Sequence, residues 1–412
     1  MKKLIGPFRQ VLTMRHLPLH GKLADAQLEI IASAGILVEG EMIEQIGNFQ
    51  TLQSSLKEGE YEQVEVPKEA VALPGLIDAH THLCWAGSRA DDYARRNGGM
   101  SYLEIAEKGG GIWSTVKKTR SASQEELVKL MLKREWEHLS QGITTIEVKS
   151  GYGLSVAEEL KQLRAIKTAT KHCKADLIPT CLSAHIKPKD FEGTHSEYLD
   201  TISKEVFPLL KAEGLAQRID AFVEQGAFSS EDIAPYFELA KAEGFDLVVH
   251  ADQFHVGGTE VAAKFGAKSA DHLEASTDKE IEILVKSGVA AVALPGASMG
   301  LGCAFTPARK ILDAGGILAI ASDWNPGSAP MGDLMMQAAV LGAYEKLSNA
   351  EVLAALTYRA AHVLSLEDRG KLEQGFLADF VIYETADFQE ILYQQGRMRP
   401  AQVWKMGELV MC

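Results

Sequence analysis

Two histidines separated by one residue end an apolar run in the stretch LPGLIDAHTHL, residues 73–83. Successive side chains of a strand point to opposite faces, so His80 and His82 face one side while Thr81 faces the other. Two neutral imidazoles aimed at one point are suited to bind zinc, iron or nickel. A motif this short is a hypothesis until its context is found, so the pair predicts a metal site only if further ligands converge on it.

Eight apolar runs of strand type follow one another between residues 71 and 362, separated by longer amphipathic stretches of helical type. Eight strands alternating with helices over about 290 residues are typical of an α/β fold of the (β/α)8 barrel class, whose active site lies at the carboxyl ends of the strands. Nearly every run ends in a residue capable of chemistry, and these are His80, His82, Glu147, Lys149, His185, Glu224, His250, His272 and Asp323. Because the barrel brings its strand ends to one pocket, we expect these side chains to meet there.

Four of these residues predict a catalytic metal site. The set His80, His82, His250 and Asp323 would supply three nitrogen ligands and one oxygen ligand, with room for a water. An ion held in this way polarises a carbonyl and lowers the pKa of bound water. Asp323 could also accept the proton of that water, and His272 is a candidate base, a hydrogen-bond partner for the water or an extra ligand.

Lys149 raises the question of how many ions are bound. In some metallohydrolases of this architecture a lysine carries a carboxylate that bridges two metals. No fifth oxygen ligand is evident in this sequence, so we expect one metal ion per subunit. Zinc and iron both accept three imidazoles and a carboxylate, and both remain open.

The two chain ends differ from the middle. Residues 27–66 and the stretch GKLEQGFLADFVIYE, residues 370–384, predict short strands with glycine turns. Since chain termini commonly lie close together, we expect residues 1–70 and 363–412 to build one small β-sandwich domain and residues 71–362 to build the catalytic barrel.

Composition narrows the class of protein. Of 412 residues, 46% are hydrophobic and 24% charged, which is ordinary for a globular enzyme. The net charge of -14 argues against nucleic acid or an anionic membrane as the main partner. No signal peptide or transmembrane stretch is recognised. The five cysteines form no C-x-x-C pair and favour reduced thiols, hence a cytoplasmic location.

Several motifs together resemble the imidazolonepropionases of the amidohydrolase superfamily. PGLIDAHTHL resembles the first-strand signature of the superfamily, and the narrower resemblance is carried by GSRADDYARRNGGMSYLEIAEKGGGIWSTV, EVKSGYGL, LSAH, HADQF, SADHLE, LPG and ASDWNPGSAP. It implies a TIM-like metal-dependent hydrolase barrel that opens the ring of 4-imidazolone-5-propanoate to N-formimidoyl-L-glutamate in histidine catabolism. The bond cleaved would be a cyclic amide C–N bond, attacked by metal-activated water. The resemblance also implies a homodimer.

The resemblance implies roles for individual residues. The positions that match the metal ligands are His80, His82, His250 and Asp323. Arg89 matches the residue that binds the propionate carboxylate, a task suited to a planar guanidinium; the alternative is a surface ion pair with Asp91 or Asp92. Tyr152 matches a substrate-binding phenol, and His185 a contact to the ring or its carbonyl. The positions that match binding of the product or of the polar ring edge are Asn325, Gly327 and Ser328.

Position 253 departs from the family pattern. Many members carry a glutamate three residues after the metal histidine, where this chain has Gln253. A glutamine can hydrogen-bond the ring in both directions but cannot take up a proton at neutral pH. We therefore assign Gln253 to substrate binding and proton transfer to His272 with Asp323. The neighbouring Asp252 is expected to face the surroundings of the metal.

Two other functions stay open. The chain could be another cyclic-amide hydrolase or a heterocycle deaminase, against which Arg89 argues because a neutral ring has no carboxylate to pair with it. It could also be an inactive metal-binding barrel, a possibility supported only by Gln253. We further expect glycines 109–111 to form a mobile lid over the barrel mouth, and His138 and the other outlying histidines to be exposed or to cap helices.

Overall fold

The computed structural model describes residues 1–100, 104–105 and 108–412, whose strands form two separate eight-stranded sheets. The strands are β1 Lys2–Leu12, β2 Ile30–Glu39, β3 Met42–Asn48, β4 Tyr61–Val64, β5 Ala70–Pro74, β6 Leu76–Asp78, β7 Ile143–Lys149, β8 Asp176–Ala184, β9 Arg218–Val223, β10 Asp246–Ala251, β11 Ser269–His272, β12 Ala290–Ala293, β13 Leu318–Ile320, β14 Phe380–Glu384, β15 Gln402–Lys405 and β16 Glu408–Met411.

The helices lie mainly between the barrel strands. They are α1 Phe49–Ser55, α2 Ala90–Asn97, α3 Gly111–Ser121, α4 Gln124–Leu139, α5 Val156–Thr170, α6 His195–Glu213, α7 Ser230–Ala242, α8 Gly258–Phe265, α9 Asp278–Ser287, α10 Pro295–Leu301, α11 Ala308–Asp313, α12 Leu334–Glu345, α13 Asn349–Ala355, α14 Tyr358–Val363 and α15 Gln389–Tyr393. Among the described residues, no helix has both the length and the apolar character needed to cross a membrane.

Strands β6 to β13 form the barrel and pair in parallel in chain order. Every residue of β7 is buried, as expected for a strand covered on both faces. Several barrel helices begin with side-chain caps: Ser123 accepts the N–H of Glu126 before α4, and Thr194 and Glu197 form a capping box at α6. These caps define where α4 and α6 begin.

The barrel closes between β13 and β6 through residues of the predicted metal site. The Asp323 N–H donates to the His80 carbonyl at 3.0 Å, and the His82 N–H donates to the Trp324 carbonyl at 3.0 Å. The Asp78 carboxylate accepts the Ser322 N–H at 2.9 Å. Closure of the barrel therefore brings the first and the last strand ends together. The predicted (β/α)8 barrel is confirmed.

The chain ends build the second sheet, here called the outer sheet. Its strand order is β16-β15-β14-β5-β1-β2-β3, and β4 pairs with β1. Strand β1 belongs to it although we expected strands only from residue 27 onward. The run predicted as a single first barrel strand is also divided: β5 pairs with β14 in the outer sheet, and β6 pairs with β7 in the barrel. Gly75 lies between them, where a Cβ would come within 2.3 Å of Thr144 Oγ1. This close approach lets the chain pass from one sheet to the other.

Candidate metal centre and active site

Three imidazoles meet at the carboxyl ends of β6 and β10. One ligand nitrogen each of His80, His82 and His250 lies within 4.8 Å of the others, and all three residues are buried. Asp323 Oδ1 lies 3.6 Å from His80 Nε2 and 3.4 Å from His82 Nε2. Within the described part of the chain, the buried Nε2 atoms of His80 and His250 have no hydrogen-bond partner. Since buried polar atoms are rarely left unpaired, these nitrogens face a position suited to a cation.

The other ring nitrogens of two of these histidines are held by carboxylates. His80 Nδ1 donates to Asp271 Oδ2 at 2.6 Å, and His250 Nδ1 donates to Asp220 Oδ1 at 3.1 Å. A carboxylate on Nδ1 fixes the tautomer whose Nε2 lone pair is free for a metal. The set of three imidazoles and one carboxylate therefore fits a divalent metal ion.

Burial favours the neutral form of the His80 and His250 imidazoles, as metal binding requires. Burial, assisted by the charge of Lys149, holds the pKa of His80 well below its usual range. Burial also lowers the pKa of His250 to about 4, against the opposing effect of Asp220. Burial raises the pKa of Asp271 to about 7, and the Lys149 ammonium opposes that rise.

The pKa values of His272 and Asp323, which lie beside the imidazoles, are shifted in opposite directions. Burial by itself would lower the pKa of His272, but the carboxylate of Glu274, whose Oε1 lies 3.3 Å from His272 Nδ1, raises it above the usual value. Burial would raise the pKa of Asp323, yet His82 and the other imidazoles hold it below its usual value. The raised pKa favours the protonated form of His272, and the lowered pKa favours the ionised form of Asp323. Both backbones have positive φ, 86° at His272 and 50° at Asp323, a conformation that is uncommon for non-glycine residues.

A cavity of about 550 Å³ opens in front of these groups. Its lining includes all of the residues that the sequence analysis assigned to substrate binding, namely Arg89, Tyr152, His185, Gln253, Asn325, Gly327 and Ser328. It also includes His82, His250, His272 and Asp323. A small molecule in the cavity would therefore contact the predicted binding residues and the imidazole cluster together.

Arg89 is buried at one side of this cavity. Its Nε donates to Asp92 Oδ2 at 2.8 Å, and the same oxygen accepts the Gly111 N–H at 2.9 Å. The ion pair with Asp92 exists, but it is a buried pair and not the exposed one considered as the alternative. A Cβ at Gly327 would lie 2.2 Å from Arg89 Nη1 and 3.3 Å from Nη2. Glycine at position 327 thus makes room for the end of the guanidinium.

The segment after Asp323 is organised by one amide. Asn325 Nδ2 donates to the Asp323 carbonyl at 2.7 Å and to Ser328 Oγ at 2.9 Å. Asn325 Oδ1 accepts the N–H groups of Gly327 at 2.7 Å and Ser328 at 2.9 Å. Asn325 therefore sets the shape of this edge of the cavity.

Two aromatic rings flank His82. The His185 ring stacks on His82 at 5.6 Å between centroids, and the Tyr152 ring lies 5.5 Å from His185. His185 Nδ1 donates to the Gly151 carbonyl at 2.9 Å. Burial lowers the pKa of His185 to about 3, so the ring is neutral and its Nε2 is an acceptor.

The structure gives Glu224 a role that sequence reasoning did not find. Its carboxylate accepts the N–H groups of Phe254 at 2.8 Å and His255 at 3.1 Å, and His255 Nδ1 at 2.7 Å. These bonds hold the loop that follows Gln253, and both Glu224 and His255 line the cavity. The only signal in the sequence was the position of Glu224 at a strand end.

Two further expectations were wrong. Asp252 has a φ of 51°, so its side chain does not follow the alternation of the preceding strand. Its carboxylate binds Gly257 N, Thr259 and Ser276 Oγ in the loop that follows, instead of facing the metal ligands.

His138 is buried, with Nε2 3.0 Å from Asp78 Oδ2. Tertiary packing of α4 places it in the interior, where solvent exposure or helix capping had been expected.

Comparison with known proteins identifies the family of this chain. Residues 105–411 match the model of the Amidohydrolase family. An imidazolonepropionase of Symbiobacterium thermophilum is 39% identical over 97% of this chain and 95% of its own length. One of Deinococcus radiodurans is 39% identical over 97% of both chains. A crystal structure of an adenosine deaminase from Xanthomonas campestris with bound zinc has a TM-score of 0.72 at 18% identity, covering 99% of this chain and 92% of that one, which shows a shared fold alone. The chain belongs to the imidazolonepropionase family of the amidohydrolases.

Proposed function

We propose that this chain hydrolyses the cyclic amide bond of 4-imidazolone-5-propanoate and releases N-formimidoyl-L-glutamate in histidine catabolism. The observation that carries the proposal is a single cavity that joins a buried guanidinium, Arg89, to a cluster of three imidazoles and a carboxylate. The relatives named as imidazolonepropionases, matched over nearly the whole chain, support the same reaction.

One metal ion per subunit, zinc or iron, is proposed for this site. The ligands would be His80, His82, His250 and Asp323. When bound, a divalent ion supplies Lewis-acid chemistry: it polarises a carbonyl and makes water more acidic. The unpaired Nε2 atoms of His80 and His250 support the choice of ligands, and the zinc in the adenosine deaminase of similar fold supports zinc.

Arg89 would bind the propionate carboxylate. Because Asp92 engages Nε, the two terminal nitrogens are left to form a paired contact with a carboxylate. The imidazolone ring would then lie between Arg89 and the imidazole cluster. The ring's polar edge would be contacted by Tyr152, His185, Gln253, Asn325, Gly327 and Ser328.

Proton transfer is assigned to His272 and Asp323. Hydrolysis of an amide needs an acceptor for the proton of the attacking water and a donor for the departing nitrogen. The lowered pKa of Asp323 suits the acceptor, and the raised pKa of His272 suits the donor. Gln253 then needs no proton-transfer role and serves as a ring contact.

The proposed partner is a small molecule with a carboxylate, with no role for nucleic acid or membrane. Arg89 disfavours a deaminase of a neutral heterocycle, since such a ring offers no carboxylate to the terminal guanidinium nitrogens, which Asp92 does not engage. The presence of both a proton donor and a proton acceptor disfavours an inactive barrel. We further propose a homodimer located in the cytoplasm, and light scattering of the purified protein would measure the subunit number.

The decisive experiment adds purified protein to freshly made 4-imidazolone-5-propanoate, with a blank for its spontaneous decay. Wild-type protein is compared after chelation and after reloading with zinc or iron(II). We expect a metal-dependent loss of the ring's ultraviolet absorbance. Mass spectrometry should identify the product as N-formimidoyl-glutamate. If reloaded, folded protein leaves the substrate at the rate of the blank, the proposal is wrong, and other cyclic amides and amino-heterocycles should be screened.

A further inference from the structure

Lys149 is a fully buried cation at the last position of β7, below the imidazole cluster. Its Nζ lies 2.8 Å from Glu147 Oε1, 2.8 Å from Asp220 Oδ2 and 3.9 Å from Asp271 Oδ2. One ammonium group thus meets three carboxylates that come from three different barrel strands.

Each of these carboxylates also contacts the metal-binding segment. Asp220 accepts His250 Nδ1, and Asp271 accepts His80 Nδ1. Glu147 Oε2 accepts the backbone N–H of Thr81, the residue between the two histidines of the first strand, at 3.1 Å. Through these carboxylates, Lys149 is linked to both strand ends that supply the candidate histidine ligands.

This arrangement favours a free ammonium at Lys149 over the carboxylated lysine considered from the sequence. The ammonium balances the charge of the buried carboxylates, whereas carboxylation would add a further anion among them. Burial by itself would lower the pKa of Lys149, but Asp220, Glu147 and Asp271 raise it above its usual value. Lys149 is therefore an ammonium.

We propose that Lys149 is a positioning residue of the metal centre: it holds Asp220, Asp271 and Glu147 so that His80, His82 and His250 present their ligand nitrogens to one ion. The inference rests on the proposed function only in requiring that the site binds a divalent ion. It does not depend on which substrate is hydrolysed.

The sign of the effect distinguishes this role from simple electrostatics. A positive charge near a cation repels it, so loss of the charge alone would tighten metal binding. Loss of a group that orients the ligands would weaken it, because partners of metal ligands typically contribute about 10- to 100-fold to metal affinity.

The test compares Lys149→Met with wild type and with Lys405→Met. Lys405 is a matched control because it is also buried and pairs with two carboxylates, Asp379 at 2.6 Å and Asp176 at 2.8 Å, but in β15 of the outer sheet. Zinc dissociation constants are measured by competition with a chromophoric chelator, and the visible spectrum of cobalt(II)-loaded protein reports the ligand geometry. We expect Lys149→Met to raise the zinc dissociation constant about 10- to 100-fold and to change the cobalt spectrum. Lys405→Met should change neither.

A folded Lys149→Met protein that binds zinc as tightly as wild type, or more tightly, would overturn the proposal. If that variant does not fold, Asp220→Asn is used instead, because it keeps Lys149 but disrupts the contact between Lys149 and His250. Asp220→Asn should raise the zinc dissociation constant. Wild-type affinity with an unchanged cobalt spectrum would equally refute the inference. Where both variants fold, the double variant should show less than the product of the two effects, since they act through one network. Wild-type protein that binds zinc without hydrolysing 4-imidazolone-5-propanoate would contradict the proposed function and leave this test intact.

Discussion

Replacement of Arg89 by methionine tests the proposed mode of substrate recognition. Arg89 is 9% exposed, and Asp92 holds its Nε at 2.8 Å, so the terminal nitrogens are fixed toward the cavity. Truncating one partner of a buried, hydrogen-bonded charge pair costs about 2–5 kcal/mol. At 1.4 kcal/mol per tenfold change, kcat/KM for 4-imidazolone-5-propanoate should fall between about 30-fold and about 4000-fold.

Most of this loss should appear in KM. The carboxylate is remote from the bond that is cleaved, so Arg89 contributes similar binding to the ground state and the transition state. The assay is initial-rate kinetics by ultraviolet absorbance, with circular dichroism to verify folding. Arg95→Met is the matched control, since Arg95 lies on the same helix in an exposed pair with Asp91. It should leave both constants unchanged.

A second substrate separates loss of the carboxylate contact from general damage. An imidazolone with a propyl group in place of the propionate has no charge for Arg89 to bind. The Arg89→Met variant should hydrolyse this analogue as well as wild type does. An equal loss of kcat/KM on both substrates, or no loss on either, would refute the assignment of Arg89 to the carboxylate.

The remaining predictions concern the same cavity and its metal. Gly327→Ala would place a Cβ 2.2 Å from Arg89 Nη1. Thermal stability should stay near wild type, because only the end of the Arg89 side chain must move. Displacement of the guanidinium should raise KM about 100-fold. Steady-state kinetics and thermal unfolding check this, and an unchanged KM would contradict it. The pKa of His250 is lowered to about 4, so the neutral ligand persists at lower pH than usual and is lost only as the pH falls through that value. The imidazole of His250 in metal-free protein should therefore stay neutral from pH 7.5 to about 5, where an ordinary imidazole with a pKa of about 6.5 would already be protonated. An NMR titration of this ring with a midpoint above pH 6 would oppose this explanation. Chelation should lower the unfolding temperature, since free zinc at about 100 times its dissociation constant stabilises the folded state by about 2.7 kcal/mol; calorimetry with and without zinc measures the difference, and coincident curves would argue against a metal site in the folded chain.

Much of the barrel could be predicted from the sequence because its signals are local. The alternation of side chains along a strand puts His80 and His82 on one face, and the regular succession of strands and helices predicts a barrel. Since a barrel converges its strand ends, His250 could be placed with them although it lies far along the chain, and the three form one buried group. Motif resemblance then supplied candidate roles for Arg89 and the segment after Asp323.

Local sequence patterns could not predict contacts between residues that lie far apart in the chain. The sequence identified Lys149 as a residue of interest and, after a carboxylated bridge was considered, predicted a single metal ion. The carboxylates that contact its ammonium could not be known from the sequence. The apolar run before His80 predicted one strand, whereas packing against Thr144 at Gly75 divides it between two sheets. His138 followed the pattern of an exposed helical residue and is buried against Asp78.

The sequence by itself determined which residues end the barrel strands and which faces they share, because strand periodicity is a property of neighbouring residues. Only the tertiary structure decided the partners of those residues. His80 and Asp271, for example, are 191 positions apart and meet within 2.6 Å. Such pairings depend on the register and closure of eight strands, and these follow from packing of the whole chain rather than from any local pattern.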